Sequence, residues 1–153
     1  DKQSPFLRSV VLNKGSRNEI KLGMAVLDGK YLVGKIVEVN YLTSRVLLIS
    51  DLNSKIPVSI EPGNIQSILS GTGKNEGIIQ YLKEEFDIEH GSIVYTSGSG
   101  ELFKEGIPIG KINSKKTKTT NDKKSEDDRT VTFFSDFSQL QFVKIVEFKR
   151  DIN

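Results

Sequence analysis

The chain has 153 residues, 36% of them apolar, with 22 basic against 20 acidic side chains, one histidine and no cysteine. That length suffices for one ordinary domain or two small barrels, and no apolar run approaches the ~18 residues of a membrane-crossing helix. The missing cysteine excludes disulfides, thiolate metal sites and cysteine nucleophiles, and a net charge of +2 supplies no global field to attract nucleic acid or anionic lipid.

Asp1 opens the chain without a signal-peptide pattern, which reads as a piece cut from a longer protein. Short apolar and β-branched runs follow, separated by Gly, Asn, Asp and Ser. They predict strands over 6–12, 24–27, 32–39, 45–50, 56–60, 65–69, 78–82, 92–95, 107–112, 130–134 and 142–148. Asp28-Gly29 supplies the positive φ of a tight hairpin between the second and third. Glu61-Pro62-Gly63-Asn64 is the strongest break, and it places a boundary between a first barrel over 1–62 and a second over 63–153, with the option that a C-terminal strand returns to the first. Helical turns are expected only at 81–86 and at 137–140, where Asp136 could cap. The expected fold is all-β, two small barrels of about five to six strands each.

The halves share a template. Leu22-Gly23-Met24-Ala25-Val26 leads to Val33-Gly34-Lys35-Ile36, and His90-Gly91-Ser92-Ile93-Val94 leads to Ile109-Gly110-Lys111-Ile112. The glycines stand 11 residues apart in one copy (Gly23 to Gly34) and 19 apart in the other (Gly91 to Gly110). Each copy then runs to an apolar strand ending in Ser-Asp, over 46–51 and 131–136. Gly34 and Gly110 fall inside strands, where a missing side chain marks a bulge or a close backbone approach. Thr96-Ser97-Gly98-Ser99-Gly100-Glu101-Leu102-Phe103 becomes the longer connection of the second copy, with Gly98 and Gly100 shaping its turn.

That connection does not read as catalytic. Ser99 has glycines as immediate neighbours, the wrong spacing for a nucleophile elbow, and a triad would depend on the lone His90 with Asp87. Gly71-Thr72-Gly73-Lys74 continues to Asn75, without the first glycine or the closing hydroxyl of a P-loop. The carboxylates of Glu84-Glu85-Phe86-Asp87 lack the alternation of a calcium loop. Neither a cofactor nor a metal site is expected. Residues 111–129 carry seven basic and four acidic side chains and one apolar residue, Ile112. This reads as a long polar hairpin tip; an OB-like module binding nucleic acid there is the alternative, but the segment lacks stacking aromatics. The phenylalanines at 133, 134, 137, 142 and 148 read mostly as core. Leu102, Phe103 and Ile107 put apolar bulk on a connection that ought to be wet, either as partner anchors or as a cap folded back on the barrel.

Val11-Leu12-Asn13-Lys14-Gly15-Ser16, Leu32-Val33-Gly34-Lys35-Ile36, Thr43-Ser44-Arg45-Val46-Leu47-Leu48-Ile49-Ser50-Asp51, Val94-Tyr95-Thr96-Ser97-Gly98-Ser99-Gly100 and Ile107-Pro108-Ile109-Gly110-Lys111 occur in one order. In that order they resemble the β domain of the bacterial rod-shape-determining family MreC. The resemblance implies a non-enzymatic scaffold on the periplasmic or extracytoplasmic face of the inner membrane, anchored by an N-terminal helix outside this chain. It also implies self-association and contact with a class B penicillin-binding transpeptidase and the membrane protein MreD. Lys104-Glu105 stand where that family often has prolines, and the Lys-rich hairpin is longer than expected.

Overall fold

The computed structural model describes residues 8–80, 88–101, 103–114, 129–140 and 143–147. The described residues form β1 (Ser9–Leu12), β2 (Ala25–Asp28), β3 (Tyr31–Val39), β4 (Ser44–Leu48), β5 (Lys55–Glu61), β6 (Ile65–Gly71), β7 (Glu76–Gln80), β8 (Ile93–Thr96), β9 (Pro108–Ser114), β10 (Arg129–Phe133) and β11 (Lys144–Val146). Each overlaps one strand expected from the period-2 apolar runs. The helical turn expected over 81–86 lies outside the described residues. At 137–140 there is a turn and no helix. Asp136 Oδ1 accepts from the Ser138 N–H at 3.0 Å and from its hydroxyl at 2.6 Å, and the Gln139 N–H donates to the Asp136 carbonyl at 3.1 Å.

The strands make a five-stranded sheet, in the order β1-β4-β3-β2-β11, and a closed six-stranded barrel, β10-β7-β6-β5-β8-β9. All neighbouring pairs are antiparallel. The expected division at 62/63 does not separate the sheets. β5 pairs with β6 over six positions and with β8, so it belongs to the barrel. Glu61-Pro62-Gly63-Asn64 is therefore the β5–β6 hairpin turn, with Gly63 and Asn64 at φ 107° and 49°. A strong turn signal marks a chain reversal, and a hairpin needs one as much as a boundary does. β11 pairs with β2 and so lies in the first sheet.

Alternation sends one face of the first sheet onto Val26, Val33, Ile36, Val46 and Leu48, with Val10, Leu12, Val143 and Ile145 packed on them. The barrel core holds Val58, Ile60, Leu69, Val94, Ile109, Ile112, Val131 and Phe133. Ala25 and Leu32 from the first sheet and Ile49 just beyond β4 join that second cluster, so the two sheets share a core. Tyr31 and Phe134 rings meet across the junction at 4.9 Å.

The internal repeat is a repeat of hydrogen bonds. Gly23 N–H donates to Ile36 and Ile36 N–H to Met24, at 2.8 and 2.9 Å; Gly91 donates to Ile112 and Ile112 to Ser92, both at 2.8 Å. With Gly23 and Gly91 at φ 86° and 89°, each is a bulge whose first residue must be left-handed, which is why glycine recurs there. A second register shift falls after Val26 in one copy and after Val94 in the other. The Ile49 N–H donates to Val33 at 3.0 Å, and the Phe134 N–H to Ile109 at 3.1 Å. Asp51 and Asp136 both accept through Oδ1 from the amide two residues on. β2-β3-β4 and β8-β9-β10 are the same unit twice.

Candidate docking cleft

Thr96, at the end of β8, closes the connection that follows. Its hydroxyl donates to the Lys104 carbonyl at 2.6 Å and accepts from the Ile107 N–H at 2.9 Å. Its backbone accepts from Gly106 and donates to Ile107, both at 2.9 Å. The loop between is a short turn with Gly98 at φ 78° and Gly100 at φ 71°, and Ser99 exposed. These glycines and hydroxyls set backbone geometry.

The closed neck turns the loop inward. Phe103 is 3% exposed and sits in the barrel core, so folding back as a cap accounts for its apolar bulk. Ile107 is half-buried against the same cluster, and Leu102 lies outside the described residues. The loop forms one wall of a cleft of about 640 Å³ between the sheets. Ala25, Leu27, Gly29 and Lys30 of the β2–β3 hairpin, Lys144 and Val146 of β11 and Glu147 just after it form the other wall, facing Phe103, Lys104, Glu105, Gly106, Ile107 and Pro108. The floor is apolar. Around the rim stand Lys30, Lys104 and Lys144 against Glu105 and Glu147, and Glu147 is 3.5 Å from Lys21. Lys30 Nζ also lies 5.4 Å from the centre of the Tyr31 ring. Of these wall residues the sequence singled out the loop alone. Leu27, Lys30, Lys144 and Val146 come to it through β2–β11 pairing across more than a hundred residues, for which a local pattern holds no signal.

The other candidates separate. His90 precedes β8 and Ser99 follows it, so about 13 Å of strand lies between them, too far for a hydroxyl–imidazole hydrogen bond; Asp87 is outside the described residues. Gly71-Thr72-Gly73-Lys74 is the β6–β7 turn, and it ties the sheets together. Gly73 N–H donates to the Ser50 carbonyl at 2.8 Å, and the Arg8 guanidinium donates to Gly73 O at 2.9 Å and to Asn75 Oδ1 at 3.1 Å. Residues 115–128 of the basic hairpin lie outside the described residues. Gly34 and Gly110 are sites of close approach: an added Cβ would overlap the Leu47 and Thr132 carbonyl oxygens, respectively.

A duplicated all-β body with a capped core, an apolar cleft between its sheets and its hydroxyl-rich loop engaged in backbone geometry belongs to the class of structural β-barrel proteins. The family described as "Rod shape-determining protein MreC, barrel core" matches residues 1–147. Cell shape-determining protein MreC of Escherichia coli K12 is 37% identical over 116 residues, 75% of this chain and 32% of its own length. Its counterpart in Caulobacter vibrioides is 34% identical over 150 residues, 97% of this chain and 40% of its own. A solved MreC structure superposes with a TM-score of 0.79 at 25% identity, covering 95% of this chain and 81% of that one. MreC from Pseudomonas aeruginosa superposes at 0.67 with 32% identity over 72% of each chain. A Helicobacter pylori structure titled as a complex between penicillin-binding protein (PBP2) and MreC shares the fold, with a TM-score of 0.61 at 16% identity, over 82% of this chain and 78% of that one. This chain belongs to the MreC family of cell shape-determining proteins, a structural family and not an enzyme family. It spans 32% and 40% of the length of the two curated relatives described.

Proposed function

We propose that this chain is the partner-binding body of a scaffold in the cell-wall elongation machinery, standing on the extracytoplasmic side of the inner membrane. It recruits a class B penicillin-binding transpeptidase, associates with copies of itself and works beside the membrane protein MreD. The observation that carries this reading is the family membership over residues 1–147, joined to a fold-sharing relative whose structure is titled as a complex with a penicillin-binding protein. The cleft between the sheets supports it locally, because apolar floors rimmed by charge are how protein surfaces hold partners. Among the described residues no helix is long and apolar enough to cross a membrane.

The test is a pull-down of the purified transpeptidase ectodomain with the double variant Ile107→Asp/Lys104→Glu. Both side chains line the cleft, and neither is in the fully buried core. Binding is expected to fall at least tenfold while the circular dichroism spectrum is retained. Unchanged binding removes the cleft as the recruiting surface, and no binding by the parent chain removes the recruiting role.

A further inference from the structure

Exposed apolar side chains gather at one end of the first sheet. Five large ones stand exposed among the described residues, and Leu22, Tyr41 and Leu42, at 67%, 66% and 56%, are the most exposed of them. All three lie where β1 has finished and β3 turns into β4. That end is remote from the barrel, because β3 starts at the Tyr31–Phe134 contact and runs nine residues before the turn, about 26 Å of strand. Neither core cluster includes any of the three. Hairpin turns are ordinarily built from Gly, Asn, Asp or Ser, yet Asn40-Tyr41-Leu42-Thr43 sets two large apolar residues side by side at its apex.

The apex is held from below. The Asn40 N–H donates to the Thr43 carbonyl at 2.8 Å and closes the hairpin. The helical turn Ser16–Asn18 packs against it, with the Ser16 N–H donating to the Asn40 carbonyl at 2.9 Å and the Arg17 N–H to the Tyr41 carbonyl at 3.0 Å. Gly15 makes that fit possible, since an added Cβ would overlap both carbonyl oxygens. Ile20, buried in the cluster of Val26, Val33 and Ile36, fastens the turn to the core. Tyr41 and Leu42 therefore stand on a backbone fixed in advance, and covering them costs little ordering. The Asn40 and Tyr41 carbonyls already have their donors, so the apex can leave water without stranding them.

Charge selects what covers it. Lys14 and Arg17, on the connection that carries the helical turn, are exposed and make no ion pair among the described residues. Of the acids nearby, Glu38 is held by Arg45 at 3.2 Å and Glu147 by Lys21 at 3.5 Å, which leaves Glu19. Two copies meeting tip to tip would bring both pairs of cations together. A tip entering the cleft of another copy would meet Lys30, Lys104 and Lys144 on the rim. An anionic lipid surface has the matching chemistry. A leucine reaches the acyl boundary, a tyrosine ring lies at headgroup depth with its hydroxyl wet, and lysine and arginine stems carry their charge to the phosphates.

We propose that the β3–β4 tip inserts into the surface of a bilayer containing anionic phospholipid, with Tyr41 and Leu42 in the interface and Lys14 and Arg17 on the phosphates. Two apolar side chains bind weakly and reversibly, so the tip orients a chain already kept at the surface and does not itself anchor it. The first sheet then stands end-on to the lipid and spaces the barrel from it. This rests on the scaffold reading only in placing a membrane beside the chain. Its test uses vesicles and no transpeptidase, so either can fail alone.

The chain has no tryptophan, so Leu42→Trp supplies a single emitter at the apex. The full 153-residue chain is held by an N-terminal histidine tag on vesicles bearing a nickel-chelating lipid, made of phosphatidylcholine and phosphatidylglycerol in equal parts or of phosphatidylcholine alone. On the anionic vesicles the Leu42→Trp emission is expected to move to shorter wavelength and to be quenched about twofold or more by brominated acyl chains. Leu52→Trp, at an exposed apolar position between β4 and β5, is expected to do neither. Adding Lys14→Glu/Arg17→Glu to Leu42→Trp should remove most of the quenching, and Tyr41→Ser at least half. These side chains are exposed, so the thermal midpoint should hold in every variant. Emission from Leu42→Trp that is the same on vesicles as in solution overturns the proposal, and so does equal quenching from Leu52→Trp. Equal insertion into phosphatidylcholine alone overturns it by removing the role of the cations. Sedimentation in which Tyr41→Ser dissociates an oligomer would assign the tip to a second copy and overturn it likewise.

Discussion

Gly34 and Gly110 hold matching places in the two copies, and both are dictated by the neighbouring backbone. At Gly34 a methyl group would overlap the Leu47 carbonyl and lie 2.8 Å from Val46 Cγ1; at Gly110 it would overlap the Thr132 carbonyl and lie 2.7 Å from Val131 Cγ1. Carbonyls in a ladder cannot swing aside as a side-chain tip can. Gly34→Val is therefore expected to destabilise the fold by about 1–3 kcal/mol in urea titration, through strain and overpacking. An unchanged midpoint would mean that β3 and β4 separate at no cost. Phe103→Ala should cost about 3–5 kcal/mol, because it empties the cap of the barrel core. If the midpoint holds and only partner binding falls, the ring is a contact and not a cap. Asp136 differs in kind: hydrogen bonds from the Ser138 hydroxyl and then from its amide hold the carboxyl below the ordinary aspartate range. A lowered folded pKa means that the turn's stabilisation is present above the unfolded value and is lost as pH falls through the folded one. An NMR titration should show Asp136 titrating below a model aspartate, with the Ser138 amide signal moving alongside it. A normal Asp136 titration would show the Ser138 contacts to be absent in solution.

At the scale of elements, the strands were legible in the sequence and their partners were not. The runs around Val33, Val46, Val58 and Val94 alternate or stay apolar over the length of a strand, and that pattern is local. Sheet membership is decided elsewhere. β5 reads as the last strand of a first half because Pro62-Gly63 follows it, yet its partners Ile65 and Val94 lie on the far side of that turn. The Gly23 and Gly91 signatures were visible as a spacing, and what they encode, a bulge closed by Ile36 and Ile112, appears only when the hydrogen bonds are laid side by side. Of the candidate cleft, one wall was legible, as Phe103 and Ile107; the other depends on β11, three residues long and far off in the chain. The β6–β7 turn shows the same division. Its glycines read as a turn without a phosphate-loop pattern, and the structure shows that turn docked on Ser50 and Arg8, which flank β4 and β1. Arg8→Ala removes two part-buried or exposed hydrogen bonds to that turn and should cost about 1 kcal/mol, seen as faster hydrogen exchange at Gly73. Exchange that does not change would mean that the Ser50–Gly73 bond alone holds the turn.

For the whole molecule, the shared core decides whether two sheets behave as two proteins or as one. Leu32 and Val33 are neighbours on β3, yet Leu32 packs into the barrel cluster and Val33 into the cluster of the first sheet. A strand so placed belongs to both cores at once. Ala25 and Ile49 repeat the arrangement on β2 and just beyond β4, and Phe137 touches both clusters from the barrel side. Unfolding either sheet alone would expose the apolar face that the other covers, at about 25 cal/mol for each Å² uncovered. The expected behaviour is a single cooperative transition, with calorimetric and van't Hoff enthalpies in agreement. Leu32→Ala makes the test sharper, since Leu32 is fully buried and lies on the first sheet while filling the barrel's core. It should cost about 2–5 kcal/mol and lower hydrogen-exchange protection at Val46 and Val131 by the same factor. Loss of protection at Val131 alone would show that the barrel opens by itself, and the molecule would then be two bodies joined by a hinge.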